Sequence, residues 1–581
     1  MISNAKITEA DVARDIGYLS MSDRTRVAYI SYHPKSGSYP TVFLYDPYAA
    51  SAAPFSLAKP FLDAGYAFVG ANFPATGCSE GILDYWFDHK EGLYGAEVVE
   101  WIAKQPWSDG NVGMIGNSSA GTVQFWVAAE RPAHLRAIIA SGVLDGYEDW
   151  LSIGGMPQLQ TIQWALNSCF VYQVEGTDAR ICAGDTECAL IRGGDTQVVK
   201  RPFFEEIRKR PLKDEWWDSI SLARDKVAGR VAVPTMLIGS WQDRCAVSES
   251  ARVFTQLMSD VEHKKLILMN GDHGIGGPGP RGYGIVDDER MKFLDRWLKG
   301  IENGIDKEPP VTVYWEVREP DGDPKKAVAG WTTKHSAWPD PTIERRLFYL
   351  TADAKMSPLK PGAVVDDGSR AYLYPIGAEL YGNNQQFTIQ PYKEGILNYR
   401  TAAVASDMTL LGNPEITLYL SIDNGDDADL ELTLKDVDPD ENVLFLQSGL
   451  IRASLREVDE ERTYSDEVVH VFRKSEKLVP GEIYEIRMSL LSPLAHVVRG
   501  GHCLELTIGA PNPIPKPSIG SIPVGAASIN RVYHSEKFPS RILLPLLPEA
   551  KAKAPAPEWG TQRAQPYRSG SGFVPGGLPI T

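Results

Sequence analysis

The sequence predicts an α/β domain built on a mostly parallel sheet, with a helical segment inserted into it and an all-β domain after it. Short β-rich runs alternate with helical patterns over residues 1–146 and again over 223–308, as expected when helices cover both faces of a parallel sheet. Residues 147–222 interrupt this alternation, and from residue 309 onward long helical patterns are absent. With 581 residues the chain is also too long for a single hydrophobic core.

The strands of the α/β domain are predicted from short runs of apolar and β-branched residues. These runs lie at 27–32, 41–45, 67–71, 112–115, 137–140, 234–239 and 265–269. Amphipathic helices are predicted at 93–104 and 285–298, where apolar residues recur every three or four positions. The insertion at 147–222 is interpreted as a helical cap over the site, since the loops at the carboxyl edge of a parallel sheet carry function.

The second half of the chain is predicted to form a β-sandwich, or jelly-roll, domain over 309–548. Its strands are expected at 311–317, 346–350, 415–422, 430–437, 483–490, 503–509 and 541–547. The tail at 549–581 is rich in Pro, Gly, Ala and Ser, and we expect it to be extended or partly disordered.

Charge and cysteine usage limit the class of protein. The 59 basic and 75 acidic residues give a net charge of −16 without long runs of one sign, which argues against nucleic acid or an anionic membrane as a partner. The start of the chain lacks a signal-peptide pattern and no apolar run is long enough to span a bilayer, so we expect a cytoplasmic protein. Six scattered cysteines predict buried free thiols in a reducing compartment, although Cys182 and Cys188 are close enough in sequence to pair. CxxC and HExxH motifs are absent, so a zinc site is not expected.

The strongest chemical signal is the sequence VGMIGNSSAG at 112–121. A short apolar strand runs into small residues and a helical pattern follows, which is typical of a nucleophile elbow. Ser118 is the predicted nucleophile, because Gly116 and Gly121 allow the sharp turn. Ser119 is a rival in the same turn, and an ordinary Ser/Gly turn of an α/β protein is the alternative interpretation.

A serine hydroxyl needs a base, and in this type of site the chain order is serine, acid, histidine. His273, in the sequence NGDHG, directly follows the last predicted strand of the α/β domain and precedes a helix. Asp243, in GSWQD, follows the strand before it and is the predicted acid. Asp145, after an earlier strand, is the second choice, and Asp272 is interpreted as a loop residue. A surface-loop histidine is the alternative for His273.

An oxyanion hole requires two donors aimed at the developing negative charge. One is expected to be the backbone N–H of Ser119. The second is expected from the loop after strand 41–45, either from the phenol of Tyr48 or from an N–H of that loop. These groups together predict acyl transfer through a serine ester, without a metal or organic cofactor.

These motifs resemble those of the family that includes bacterial cocaine esterases, X-prolyl dipeptidyl aminopeptidases, α-amino acid ester hydrolases and glutaryl acylases. The resemblance runs from about residue 16 to 548. Its motifs are DPY at 46–48, SEG at 79–81, WSDGNVGMIGNS at 107–118, GSWQD at 239–243, GDH at 271–273, and, in the β domain, 434–440, 449–452 and 534–541.

The resemblance implies an α/β-hydrolase core, a helical cap and a C-terminal jelly roll. The residues that it carries over are the nucleophile Ser118, the acid Asp243, the base His273, the oxyanion donor Tyr48 and the acyl-pocket tryptophans Trp150 and Trp164. The sequence departs from the family at Ser119, where tyrosine is usual, and at 72–77, where an arginine-containing stretch is usual.

The predicted function is hydrolysis of a small-molecule acyl ester through an acyl-enzyme. The alternatives are an amide-cleaving peptidase or acylase of the X-prolyl dipeptidyl aminopeptidase or glutaryl acylase type, and a non-catalytic binding protein on a hydrolase scaffold. Nucleic acid and membrane are not expected as partners, and a homo-oligomer is compatible with the sequence.

Overall fold

The structure is a computed structural model that describes most of the chain. The described residues are 7–83, 87, 89–148, 152–159, 161–162, 164, 176–193, 198–200, 203–222, 227–243, 249–258, 261–273, 284–323, 326–361, 368–376, 392–511, 521, 523–548, 550–570 and 572–578.

A ten-stranded sheet forms the first domain. Its strands are β1 (Val12–Ser20), β2 (Arg26–Pro34), β3 (Tyr39–Asp46), β4 (Ala67–Asn72), β5 (Ser108–Asn117), β6 (Leu135–Ser141), β7 (Thr235–Ser240), β8 (Lys264–Met269), β9 (Val311–Trp315) and β10 (Trp331–His335). Their order is β1-β2-β4-β3-β5-β6-β7-β8-β9-β10. The seven central strands, in the order β4-β3-β5-β6-β7-β8-β9, are all parallel to their neighbours. The strands β1 and β2 at one edge and β10 at the other pair antiparallel. This mostly parallel sheet confirms the predicted α/β domain.

Helices lie between the strands of this sheet and in the insertion. They are α1 (Phe55–Asp63), α2 (His89–Ala103), α3 (Ser119–Ala129), α4 (Thr177–Cys182), α5 (Thr186–Gly193), α6 (Phe203–Lys209), α7 (Glu215–Ser219), α8 (Glu249–Arg252) and α9 (Asp287–Leu298). Every residue of α3 is buried, so this helix lies in the middle of the domain. It directly follows β5 and therefore fixes the turn that carries Ser118.

The strand predicted at 311–317 belongs to the first sheet and not to the β domain. β9 pairs in parallel with β8 and antiparallel with β10. All five of its side chains are buried, and a short apolar run of this kind fits the edge of a parallel sheet as well as a sandwich. The predicted border at 309 therefore falls before two strands that complete the first sheet.

The β domain contains two further sheets. Its strands are β11 (Glu344–Leu350), β12 (Met356–Ser357), β13 (Ser369–Tyr374), β14 (Ile396–Arg400), β15 (Met408–Gly412), β16 (Glu415–Ile422), β17 (Asp429–Val437), β18 (Val443–Arg452), β19 (Tyr484–Ser489), β20 (Leu494–Val498), β21 (Cys503–Gly509), β22 (Ser528–Tyr533), β23 (Arg541–Leu546) and β24 (Tyr567–Arg568). One sheet runs β12-β11-β23-β16-β22-β13 with β15, β19 and β20 attached, and the other runs β14-β21-β17-β18-β24. Both sheets are antiparallel, as expected for a jelly-roll-like domain.

The two domains share one continuous hydrophobic core. Trp241, in the loop after β7, stacks on Trp338, which precedes β11, with 5.9 Å between ring centroids. In the same loop, Nε2 of Gln242 donates to the carbonyl oxygen of Leu446 in β18, so the loop that carries the predicted acid is packed against the β domain.

Helices α4 and α5 of the insertion are anchored to the first domain. The buried Arg180 donates to the carbonyl oxygens of Tyr29 and Ser51, each at 3.0 Å. A disulfide joins Cys78 to Cys188 of α5. The expectation of free thiols is therefore wrong for these two cysteines, because 110 residues separate partners that folding brings together.

Cys182 lies close to Cys188 in sequence but does not pair with it; it is a free, exposed thiol. Disulfides are typical of oxidising compartments, so the cysteine content no longer supports a cytoplasmic location, which stays a prediction. Among the described residues, no helix is both long and apolar enough to cross a membrane.

Candidate active site

Ser118 joins the end of β5 to the first residue of α3, with φ 62° and ψ −126°. A positive φ is strained for a residue with a Cβ and is often found at functional turns. The neighbouring positions must be small. A Cβ on Gly116 would lie 2.2 Å from the carbonyl oxygen of Ala120, and one on Gly121 would lie 2.5 Å from that of Ser141. The turn therefore has the geometry predicted for a nucleophile elbow.

The two serines of this turn differ in exposure. Ser118 is partly exposed, whereas Ser119 is 1% exposed and its Oγ is buried. Ser119 is the first residue of α3, and the N–H groups of a first helical turn lack intrahelical partners. They point along a helix dipole that favours negative charge at this end. The geometry therefore presents the hydroxyl of Ser118 and the N–H of Ser119 in one turn.

Asp243 and His273 meet at the carboxyl ends of β7 and β8. The Nδ1 atom of His273 lies 2.9 and 3.0 Å from the two carboxylate oxygens of Asp243. The Asp243 side chain is 3% exposed and that of His273 is 26% exposed. Burial lowers the pKa of His273, but the charge and hydrogen bond of Asp243, together with the charge of Asp272, outweigh it, so the pKa is raised above its ordinary value. The buried carboxylate thus favours the imidazolium form and orients the ring.

The imidazole of His273 lies beside the elbow. A Cβ on Gly142, just after β6, would be 3.2 Å from Cε1 of His273 and 3.1 Å from Oδ1 of Asn117. Asn117 directly precedes Ser118, and its Oδ1 accepts a hydrogen bond from Oγ of Ser141 at 2.9 Å. The histidine ring and the elbow therefore border the same small space at the carboxyl end of β6.

Asp145, the second choice for the acid, has other partners. Its Oδ1 accepts a hydrogen bond from the N–H of Leu222 at 2.6 Å, and its Oδ2 pairs with Nη2 of Arg252 at 2.8 Å. Both side chains of this ion pair are buried. The structure therefore brings Asp243, and not Asp145, to Nδ1 of His273.

Tyr48 lies in the loop after β3, which neighbours β5 in the sheet. The loop and Ser118 thus share the carboxyl edge of two adjacent parallel strands. Oδ1 of Asp46 accepts hydrogen bonds from the N–H groups of Tyr48 and Ala50, at 2.8 and 3.0 Å. Nδ2 of Asn72 donates to the carbonyl oxygen of Tyr48 at 2.8 Å. The backbone N–H groups of Tyr48 and Ala50 are therefore engaged within this loop.

The structure describes one of the two tryptophans predicted at the acyl pocket. Trp164 is partly buried and packs against the main hydrophobic core. Trp150 lies outside the described residues.

Gln242 was not identified from the sequence, although it connects the loops of the acid and the base. Its backbone N–H donates to the carbonyl oxygen of Gly271, its Oε1 accepts from the N–H of Gly271, and both distances are 3.1 Å. Its Nε2 donates to the carbonyl oxygen of Leu446 in β18 at 3.0 Å. The only sequence signal is a polar residue beside Asp243, because its partner in β18 is 204 residues away.

Comparisons with known proteins agree with this architecture. Residues 23–275 match the family model of the X-Pro dipeptidyl-peptidase (S15 family), and residues 303–543 match that of the X-Pro dipeptidyl-peptidase C-terminal non-catalytic domain. The cocaine esterase of Rhodococcus sp. is 24% identical over 592 residues, which covers 91% of this chain and 97% of that protein. A putative Xaa-Pro dipeptidyl-peptidase of Bacillus anthracis is 27% identical over 386 residues, which covers 62% of this chain and 58% of that protein.

Solved structures share the fold over nearly the whole chain. A CocE/NonD family hydrolase from Staphylococcus aureus has a TM-score of 0.72 at 20% identity and covers 92% of this chain and 94% of its own. An α-amino acid ester hydrolase has a TM-score of 0.68 at 18% identity and covers 94% of this chain and 99% of its own. The predicted α/β-hydrolase fold with a jelly-roll-like C-terminal domain is therefore confirmed. With both of its domains matched by family models, the chain belongs to the cocaine esterase and X-prolyl dipeptidyl-peptidase family of serine hydrolases.

Proposed function

We propose that the protein is a serine esterase in which Ser118 attacks the acyl carbonyl. The observation that carries the proposal is the contact of 2.9 Å between His273 and Asp243 beside the strained Ser118 turn. Nε2 of His273 accepts the Ser118 proton as the new C–O bond forms, while Asp243 holds Nδ1–H and stabilises the imidazolium. The N–H of Ser119 and the phenol of Tyr48 stabilise the oxyanion.

Collapse of the tetrahedral intermediate breaks the ester C–O bond. The imidazolium of His273 gives its proton to the leaving alcohol, and the acyl group remains on Ser118. Water then attacks the acyl-enzyme, with His273 as base, and releases the carboxylic acid. Trp164 and Trp150 are the aromatic residues that we assign to the acyl pocket.

The preference for esters over peptides is supported by Glu80. A peptidase that removes dipeptides needs a carboxylate for the free α-amine of its substrate, whereas Oε1 of Glu80 is paired with Nη2 of Arg26 at 2.5 Å. Arg26 also pairs with Glu187 of α5 at 2.6 Å, so Glu80 has a structural role at the cap. Asp84 and Asp88 lie outside the described residues.

The share of each relative's length that aligns with this chain also supports an esterase. The cocaine esterase aligns over 97% of its length, and the putative Xaa-Pro dipeptidyl-peptidase of Bacillus anthracis over 58% of its own. The X-prolyl peptidase or acylase function is the second candidate, favoured by the names of both family models.

The test compares kcat/KM for p-nitrophenyl esters, aromatic esters and aminoacyl-prolyl anilides on one preparation, with Ser118→Ala as the control for contaminating hydrolases. We expect ester turnover that depends on Ser118 and exceeds turnover of the anilides. Higher values for the prolyl anilides would replace the esterase by the peptidase. Failure of a fluorophosphonate to label Ser118 would favour a non-catalytic binding protein.

A further inference from the structure

The C-terminal tail returns to the loop of the proposed base. Arg563 donates to Oδ1 of Asp272 from Nη2 at 2.7 Å and from Nε at 3.2 Å. Its Nη1 donates to Oε2 of Glu319 at 2.7 Å. Asp272 directly precedes His273 in the chain. A residue near the C-terminus therefore contacts the neighbour of the proposed base.

Backbone contacts hold Arg563 in this place. Its N–H donates to the carbonyl oxygen of Val317 at 3.0 Å, and its own carbonyl oxygen accepts from Nδ2 of Asn270 at 3.2 Å. Asn270 is 3% exposed and also exchanges hydrogen bonds with both backbone groups of Val317, at 2.6 and 2.7 Å. The tail, the end of β9 and the histidine loop thus form one hydrogen-bonded unit.

The contact between Arg563 and Asp272 bears on the pKa of His273. Two carboxylates raise the pKa of His273: Asp243, which contacts Nδ1, and Asp272, which precedes the histidine in the chain. The guanidinium of Arg563 compensates the charge of Asp272 and also pairs with Glu319. The planar fork of arginine can bind two carboxylates at once, which the point charge of lysine does not reproduce.

We propose that the tail contributes to the active site through Arg563. Arg563 positions the histidine loop through Asp272 and reduces the net negative charge near His273. Arg563 is a positioning residue, since it acts through Asp272. The inference rests on the proposed role of His273. It concerns a segment beyond residue 543, where the match to the family model ends.

The test is the pH dependence of kcat/KM for an ester, whose acidic limb reports the pKa of the essential base in the free enzyme. In Arg563→Gln the charge of Asp272 is uncompensated, and we expect the limb to move to higher pH by roughly half a unit, as for charges several ångströms apart near a surface. In Asp272→Asn the limb should move to lower pH. The double variant removes both charges, so its limb should lie between those of the two single variants.

The two single variants should move the acidic limb in opposite directions. General loosening of the tail would instead lower kcat in both variants without moving the limb in opposite directions. Lys553→Gln removes an exposed cation from the same tail and should leave the limb in place. Thermal unfolding of each variant checks that it is folded. If Arg563→Gln does not fold, Asp272→Asn still decides, because an unmoved limb there overturns the proposal.

An unmoved limb in a folded Arg563→Gln, or a double variant whose limb does not lie between those of the two single variants, would also overturn it. Failure of the proposed esterase function looks different: the parent protein would then lack turnover that Ser118→Ala abolishes, whatever the state of Arg563.

Discussion

Gly142 offers a test of how closely the histidine ring is packed. It follows β6 with φ +53°, and a Cβ there would lie 3.2 and 3.4 Å from Cε1 and Nδ1 of His273 and 3.1 Å from Oδ1 of Asn117. The distances to Cε1 of His273 and Oδ1 of Asn117 are shorter than most real Cβ contacts, so we expect Gly142→Ala to displace the ring and the amide by a few tenths of an ångström. The left-handed backbone adds a cost of about 1–2 kcal/mol for a residue with a Cβ.

We expect Gly142→Ala to lower kcat by about tenfold with little change in KM, since a misplacement of about 1 Å in a catalytic geometry can cost about 10². Gly146→Ala is the matched control. Its φ is +61°, and its nearest neighbour would be 3.9 Å away on Ile220, so it bears the same backbone cost without touching the site. Steady-state kinetics and denaturant unfolding separate the two effects. Full activity in Gly142→Ala, or an equal loss of activity in both variants, would refute the proposed position of the ring.

Four further predictions concern the groups of the proposed mechanism. Ser118→Ala should lower kcat by at least about 10⁴, whereas Ser119→Ala should keep a measurable rate, and a phosphonate adduct mapped by mass spectrometry onto Ser119 would reverse the assignment. Asp243→Asn should lower kcat by roughly 10⁴ because the amide favours the wrong tautomer of His273; stopped assays on the purified variant check this. Tyr48→Phe should lower kcat by about 10²–10³ with a smaller change in KM, and an unaltered kcat would leave it an ordinary loop residue. Because the pKa of His273 is raised above 6.5 and its neutral form is the base, kcat/KM should fall as the pH drops through a midpoint above 6.5, and a midpoint below that value would contradict the assigned environment.

Much of the α/β domain could be predicted because its strands are buried on both faces and appear as short apolar runs. The edge strands could not. β1 (VARDIGYLS) mixes charged and apolar residues with little alternation, since an edge strand meets solvent. β10 (WTTKH) has only five residues, and most of them are polar. Local pattern therefore finds the centre of the sheet and leaves its edges undefined.

The tail shows a different limit of sequence reasoning. Its composition predicts an extended or partly disordered segment, and among its described residues the only strand is the short β24. Composition does not reveal that this extended chain pairs with β18 or that Arg563 contacts Asp272. A polar, Pro-rich segment can be ordered by contacts with another domain even when it buries little apolar surface of its own.

The same limit applies within the site, where some residues belong to local motifs and others are defined only by long-range contacts. Ser118, Asp243 and His273 stand at the ends of strands in a fixed chain order, so local motifs identify them. Gln242 and Arg563 act by contacts with residues 204 and 291 positions away, and glutamine or arginine in a loop has many ordinary explanations. The second group depends on the β domain and the tail being folded in place. A truncated chain that lacks these segments would keep Ser118, Asp243 and His273 but lose the contacts that hold the loops of Asp243 and His273, so the hydrolase core, the β domain and the tail form one structural unit.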